Sequence, residues 1–376
     1  MGGPEPNSWI TDYPTTLIHW IVVGAAIALV MFGTYWLLRL FGMRTQQATG
    51  YALIMPWLLG FVIWNLFPFL ASLYLSFTNY NLLQPPKWAG LANYERMFKS
   101  DPNFWPSLRL TILYAVLSVP LGMAGSLFTA MLLNQRVKGL GIWRTIYYLP
   151  AVLPAAATAL LWRWMFNPDS GLINAFIGVL FAPIHLISGL AAPKPAWFND
   201  ENLVLPSFII MSIWGVFGTQ TVIMLAGLKN IPQHLYESAK IDGAGTLTQF
   251  RHVTIPMLTP TLFYTLIMAI IGAMQTFTAP LFIETPRAAG IFMQVYIYQQ
   301  AFTSQRMGYA SALSWFLLLI ILVMTMLVFR SSSLWVYYEG ELRNDAVKKP
   351  SLWRRLMRRE RRAVVPVRVA DVKERT

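Results

Sequence analysis

Seven stretches of this chain are apolar and long enough to cross a lipid bilayer, and that recurrence restricts the fold more than any other feature. They lie near residues 17–38, 51–77, 107–133, 145–166, 203–228, 260–283 and 308–329. At about 1.5 Å of rise per helical residue, each reaches across a hydrocarbon core about 30 Å thick. One such run could be the buried helix of a water-soluble protein, but seven in a single chain would need a large polar shell. Charged residues are only 12% of the 376 and hydrophobic ones 56%, so that shell does not exist. Inside lipid, every backbone polar group must be paired within its own segment, which makes these runs helices. The predicted fold class is an all-α integral membrane protein of about seven transmembrane helices.

Charges in the connections set the predicted orientation. Glu5 and Asp12 precede the first run, and Arg39 and Arg44 follow it. That order is the reverse of a cleaved secretory leader, so the run reads as a retained helix. Residues 39–50 and 134–144 carry Arg39, Arg44, Arg136, Lys138 and Arg144 with no acid, and the end beyond residue 330 is strongly basic. By the positive-inside rule these face the cytoplasm. The amino terminus and the loop 167–202, with Asp169, Asp200 and Glu201 against Lys194, fall outside. Seven crossings then put the amino terminus out and the carboxyl terminus in. Cysteine is absent, so neither disulfide nor thiolate chemistry enters.

Much of the formal charge of +13 sits beyond residue 341, in the tail of residues 336–376. In PSLWRRLMRRERRAVV a helix would set Leu352, Trp353, Leu356 and Met357 against six arginines. Two readings stand: a helix lying on an anionic leaflet, or a disordered positive tail. Nucleic-acid binding is discounted, because no aromatic reading module or groove-binding motif accompanies the arginines.

One connection differs from the rest. Residues 236–250 read YESAKIDGAGTLTQF, a polar, glycine-punctuated stretch between two apolar runs and on the predicted inner side. Pro232 suits a first helical turn, and Gly243 suits a left-handed helix end. Thr246 and Gln249 have capping-box spacing, and Pro256 is expected to end the regular run before the next span. The prediction is helix, tight turn, short second helix. Leu235, Ala239, Ile241, Leu247, Phe250 and Val253 offer apolar contact, and Glu237, Lys240, Asp242 and Arg251 offer charge. Taken alone, Glu237 and Lys240 could be a solvated helical pair and Asp242 simple turn chemistry.

The run Glu237-Ser238-Ala239, then Asp242-Gly243-Ala244, Phe250, Ile255 and Pro256, resembles the EAA loop of membrane-spanning subunits of binding-protein-dependent ABC importers. Ser238 departs from the usual alanine and Ile255 from a common leucine, both small or apolar exchanges. Resemblance extends over about residues 50–335, through MPWLLGFVIWNLFPFLASLYLSFTNYNL, WAGLANYERMF, RTIYYLPAVLPAAATALLWRWMFNPDSGLINAFI and PAWFND. These stretches are similar to the sugar-importer branch, of the maltose-permease first-subunit type.

The resemblance implies a division into residues 1–50 with an extra helix, a six-helix permease domain over 51–335 with its coupling loop at 232–257, and the tail. It implies a second homologous permease, a pair of separate ATPases holding ATP and Mg, and an extracytoplasmic solute-binding protein. Residence in the inner membrane and a carbohydrate substrate are implied as well. Glu237 would make the polar contact with an ATPase, Ala239 would allow close approach, and Gly243 would form the turn. Ser238, Asp242, Ala244, Phe250 and Pro256 complete the implied coupling set.

The residues themselves argue against three other classes. A P-loop needs the lysine of G-x-x-x-x-G-K-[ST], whereas Gly243 and Gly245 are followed by Thr246 and Leu247. An ion-coupled carrier ordinarily places a carboxylate in the bilayer, and no Asp or Glu falls inside a predicted span. A membrane enzyme would need clustered chemistry, yet His19, His185, His234 and His252 are scattered without metal-ligand spacing. Hydroxyl-rich ligands call for amides, hydroxyls and aromatic faces. Asn65, Ser212, Thr219, Gln220, Gln275 and Thr276 are the candidates for a substrate path, and bonding between helices uses the same residue types. Gln220 and Gln275 should face protein or a cavity, because an amide turned to lipid is costly. Arg163 is read as snorkelling at a span end.

Overall fold

The first helix, α1 (Ser8–Leu40), ends in a left-handed glycine. Gly42 N–H donates to Arg39 O at 3.0 Å and Met43 N–H to Leu38 O at 3.2 Å, the paired bonds of a Schellman stop. The computed structural model describes residues 8–135, 138–286 and 290–337. The arginine-rich segment of the tail lies outside them.

After α1 the chain runs through α2 (Thr45–Phe61) and α3 (Phe67–Ser76), joined without a break by a wide π-type turn at Val62–Leu66. That turn sits just before Pro68, and the wider spacing accommodates a residue without an N–H. A two-residue strand pair, β1 (Thr78–Asn79) with β2 (Lys87–Trp88), is antiparallel and leads to α4 (Ala92–Lys99). Then come α5 (Phe104–Leu133), α6 (Leu140–Val152), α7 (Ala155–Met165) and α8 (Leu172–Ser188). They are followed by α9 (Glu201–Lys229), α10 (Gln233–Ile241), α11 (Thr246–Gln249) and α12 (Ile255–Met274). The last helices are α13 (Thr278–Phe282), α14 (Met293–Tyr298) and α15 (Met307–Trp335).

Among the described residues, five helical runs are long and apolar enough to span a membrane, and counting each of two bent pairs as one span gives up to seven. The seven predicted spans are recovered, with two changes. The expected span 145–166 is not straight, because α6 and α7 meet at 98°. Leu153 is extended there (φ −71°, ψ 136°), as a residue before proline prefers, and Pro154 cannot continue the hydrogen-bond ladder. The expected outer loop 167–202 contains α8, a mainly apolar helix of seventeen residues without Asp, Glu, Lys or Arg. That run is shorter than a membrane span requires.

The chain divides into two compact units. Residues 8–113, 159–205 and 274–322 contribute to the first. There α1 lies along α2 and leaves Leu17, Trp20 and Ile21 exposed, as lipid-facing side chains would be. Asn93 Nδ2 donates to Ser76 O at 2.8 Å and Thr78 O at 2.9 Å, tying α4 to the end of α3. Gly308 opens α15 against this strand, and a Cβ on it would stand 2.1 Å from Thr78 O. The Asp101 carboxylate accepts from Tyr296 Oη at 2.6 Å and from Tyr309 Oη, while Arg96 lies 4.7 Å over the Tyr309 ring. Arg163, read as snorkelling, reaches Glu284 at 3.4 Å with both side chains exposed. Phe166 packs against Trp162, Trp197 and Phe198, and Trp197 Nε1 donates to Asn174 Oδ1 at 2.8 Å.

The second unit holds residues 114–158, 206–273 and 323–337 of those described. Its core joins Ala130 and Leu133 of α5, Met224, Leu225 and Leu228 of α9, Ile231 of the connection after α9, and Leu258 of α12. The contact of α9 with α12 depends on Gly227, where a Cβ would come within 2.7 Å of Thr261 Oγ1. α9 itself bends by 50° between Gly215 and Gly218. A Cβ on Gly218 would meet Ala151 Cβ of α6 at 2.5 Å, so that crossing admits no side chain either.

Candidate functional site

The polar loop forms on the second unit as α10, a turn, and α11 running on into α12. α10 starts after Pro232, whose extended backbone (φ −61°, ψ 131°) precedes the helix. It stops at Gly243 with φ +78°, where Gly243 N–H donates to Lys240 O at 3.0 Å and Ala244 N–H to Ala239 O at 2.8 Å. This is again a Schellman stop, and a residue with Cβ would be strained in that conformation.

Two expectations for this loop are corrected. No capping box forms: Gly245 occupies the cap position, and Gln249 Nε2 turns back to Ala244 O at 2.8 Å. The glycine turn delivers the Ala244 carbonyl to that amide, which removes it from the role the spacing suggested. Nor does Pro256 end the run, because helix continues past it from Thr246 to Met274. A π-type turn at Phe250–Thr254 just ahead of Pro256 makes the local widening that a proline ring and missing donor require.

The loop's apolar residues divide into two groups. Leu235, Tyr236 and Val253 pack against the core of α5, α9 and α12, and Tyr236 Oη lies 3.0 Å from Thr254 Oγ1. Ile241 and Leu247 point away from the body, 86% and 79% exposed on either side of the turn. Glu237, Ser238, Asp242 and Gly243 are exposed as well, while Ala239, Ala244, Phe250 and Pro256 are half-buried. Glu237 Oε1 accepts from Gln233 Nε2 at 2.9 Å, and among the described residues no ion pair joins it to Lys240. The loop is thus a knob anchored on one side and unsatisfied on the other.

Substrate-path candidates are distributed over both units. Ser212, Thr219 and Gln220 belong to the second; Asn65, Gln275 and Thr276 belong to the first. Gln220 Oε1 accepts from Ser126 Oγ at 3.3 Å, and Ser212 Oγ donates to Ile209 O at 2.8 Å. Asn65, Thr219 and Gln275 are exposed on the chain, and Thr276 is half-buried. Among the described residues no group of three His, Asp or Glu side chains is arranged to hold a metal ion. His19 and His252 each lie near a backbone carbonyl four residues back, at 2.7 and 3.1 Å.

Residues 122–334, which include the whole knob, match the family described as binding-protein-dependent transport system inner membrane component. The chain belongs to that family. This permease is 39% identical over 306 residues to a probable ABC transporter permease protein, YesP of Bacillus subtilis, covering 79% of this chain and 94% of that one. It is 30% identical over 293 residues to the lactose transport system permease protein LacF of Rhizobium radiobacter, covering 76% and 94%. It is 28% identical over 294 residues to the arabinooligosaccharides transport system permease protein AraP of Bacillus subtilis, covering 77% and 90%. In fold, the permease is similar to a chain of a bacterial ABC transporter that imports alginate, with TM-score 0.67 and 22% identity over 78% of this chain and 98% of that one. Its architecture, helical apart from one two-residue strand pair, is the fold class the sequence predicted.

Proposed function

We propose that the permease is one of two membrane subunits of an ATP-driven carbohydrate importer, driven through its 232–257 knob by a separate ATPase. The observation that carries this reading is the division of that knob. Leu235, Tyr236 and Val253 tie it to the helices it would have to move, while Ile241, Leu247 and Glu237 are left for a partner's cleft. A lever needs both: an anchored side transmits displacement, and an exposed apolar tip gains affinity only when buried by another chain.

In this reading residues 51–335 form half of the translocation pathway in the inner membrane, and residues 1–50 add a helix to it. The amino terminus lies outside and the knob and tail lie in the cytoplasm. ATP and Mg belong to the ATPase pair, and this chain supplies no nucleotide site. A second, homologous permease completes the path, and an extracytoplasmic solute-binding protein delivers the sugar. The names of LacF and AraP support a saccharide cargo. So does the supply of hydroxyls and amides at Asn65, Ser212, Thr219, Gln220, Gln275 and Thr276, which satisfy sugar hydroxyls without charge.

Glu237→Lys in the complex reconstituted with its ATPases and solute-binding protein is expected to insert normally and lose ATP-coupled uptake at least tenfold. Uptake of a panel of oligosaccharides at the unmutated rate would reject the knob as the coupling element.

A further inference from the structure

Within the second unit, α5, α6 and α9 line an open-sided cavity of about 380 Å³ that the transport reading leaves unused. Its apolar wall comes from Leu133, Val222 and Leu225, and its polar side from Arg144, Tyr148 and Thr221. Thr221 is only 2% exposed, and its hydroxyl has no hydrogen-bond partner among the described residues. A helical threonine ordinarily returns that proton to a carbonyl of the preceding turn, as Thr129 and Thr145 do here at 2.9 and 3.0 Å. The Arg144 Nε is buried and, among the described residues, likewise unpartnered, and no carboxylate among them lines the cavity. A buried guanidinium nitrogen and a buried hydroxyl without acceptors each cost free energy until an acceptor arrives.

We infer that this cavity binds the phosphate head of an anionic phospholipid. The polar groups facing it can donate and include one full positive charge, so the ligand carries an anionic oxygen. The apolar wall makes up most of the lining, so that oxygen is attached to a hydrocarbon body. Val222 is half exposed, which leaves an opening for an acyl chain. In the orientation proposed above, the carboxyl end of α5 and the start of α6 lie at the inner leaflet, where anionic lipids concentrate. A free phosphate would satisfy Arg144 and Thr221 and gain nothing from Leu133 and Leu225. The lipid would brace α6 against α9 beside Gly218, next to the helix that carries the knob.

The test is native mass spectrometry of the assembled importer, delipidated and then titrated with phosphatidylglycerol, phosphatidylcholine or inorganic phosphate in the absence of ATP and sugar. Wild type is expected to retain phosphatidylglycerol over phosphatidylcholine. Arg144→Gln should weaken phosphatidylglycerol binding about tenfold, the size of one charge-assisted contact. Thr221→Val, close in shape and chosen in case the arginine variant does not assemble, should weaken it several-fold. Equal retention by wild type and Thr221→Val would overturn the site as bulk annular lipid. Displacement by millimolar inorganic phosphate would overturn it in favour of a free-anion site. Binding by the isolated chain but not the complex would assign the cavity to the sister permease. None of these outcomes depends on coupling at Glu237, so this inference and the transport reading fail separately.

Discussion

Asp101 shows how much one side chain can organise without being legible in sequence. It accepts hydrogen bonds from Tyr296 and Tyr309, which stand 195 and 208 positions further along. Burial, and after it the bond to Asp101, pushes the Tyr296 hydroxyl well above the ordinary tyrosine range. The sign of the pH effect follows. Above the unfolded value of about 10 the folded chain holds the proton that the unfolded chain has lost, so stability falls as pH rises through that region and is unaffected below it. Tyr296→Phe is expected to lower stability at neutral pH by about 1–3 kcal/mol, the range for a hydrogen bond to a charged group. It should also flatten the alkaline loss of the thermal midpoint. An unchanged slope above pH 10 would show that the Asp101 cluster is not what titrates.

At the scale of elements, the knob separates stability from partner binding. Tyr236 Oη reaches Thr254 Oγ1 across the turn, so Tyr236→Phe should cost about 1 kcal/mol of stability. Ile241 is almost fully exposed, so Ile241→Ser should leave the thermal midpoint of the isolated permease unchanged and weaken its association with the ATPase about tenfold. Measuring both variants by thermal melting and by ATPase copurification separates the roles. A destabilised Ile241→Ser with normal association would invert the proposed division. In the sequence Leu235 and Ile241 read alike as apolar contacts. Only the packing of α5, α9 and α12 under one side of α10 distinguishes them.

For the whole molecule, the absence of Asp and Glu from the interior of the predicted spans predicts uptake that requires ATP and persists after proton and sodium gradients are collapsed. Gradient-driven uptake without nucleotide, measured in the same vesicles, would favour an ion-coupled carrier. The seven apolar runs and the left-handed stop at Gly243 were determined by the sequence alone, because lipid leaves the backbone no other pairing and only glycine adopts that φ without strain. Local rules also explain, once seen, the widening before Pro68 and Pro256. They explain equally the break between α6 and α7 at Leu153-Pro154 and the Gln249 amide turned back to Ala244 O. Tertiary structure alone decided the unsatisfied pair Arg144 and Thr221, which depends on what α5 and α9 place beside α6. Arg144 counted in the sequence only as one more basic loop residue, since a periodic pattern reports which face is apolar and not which polar atom lacks a partner.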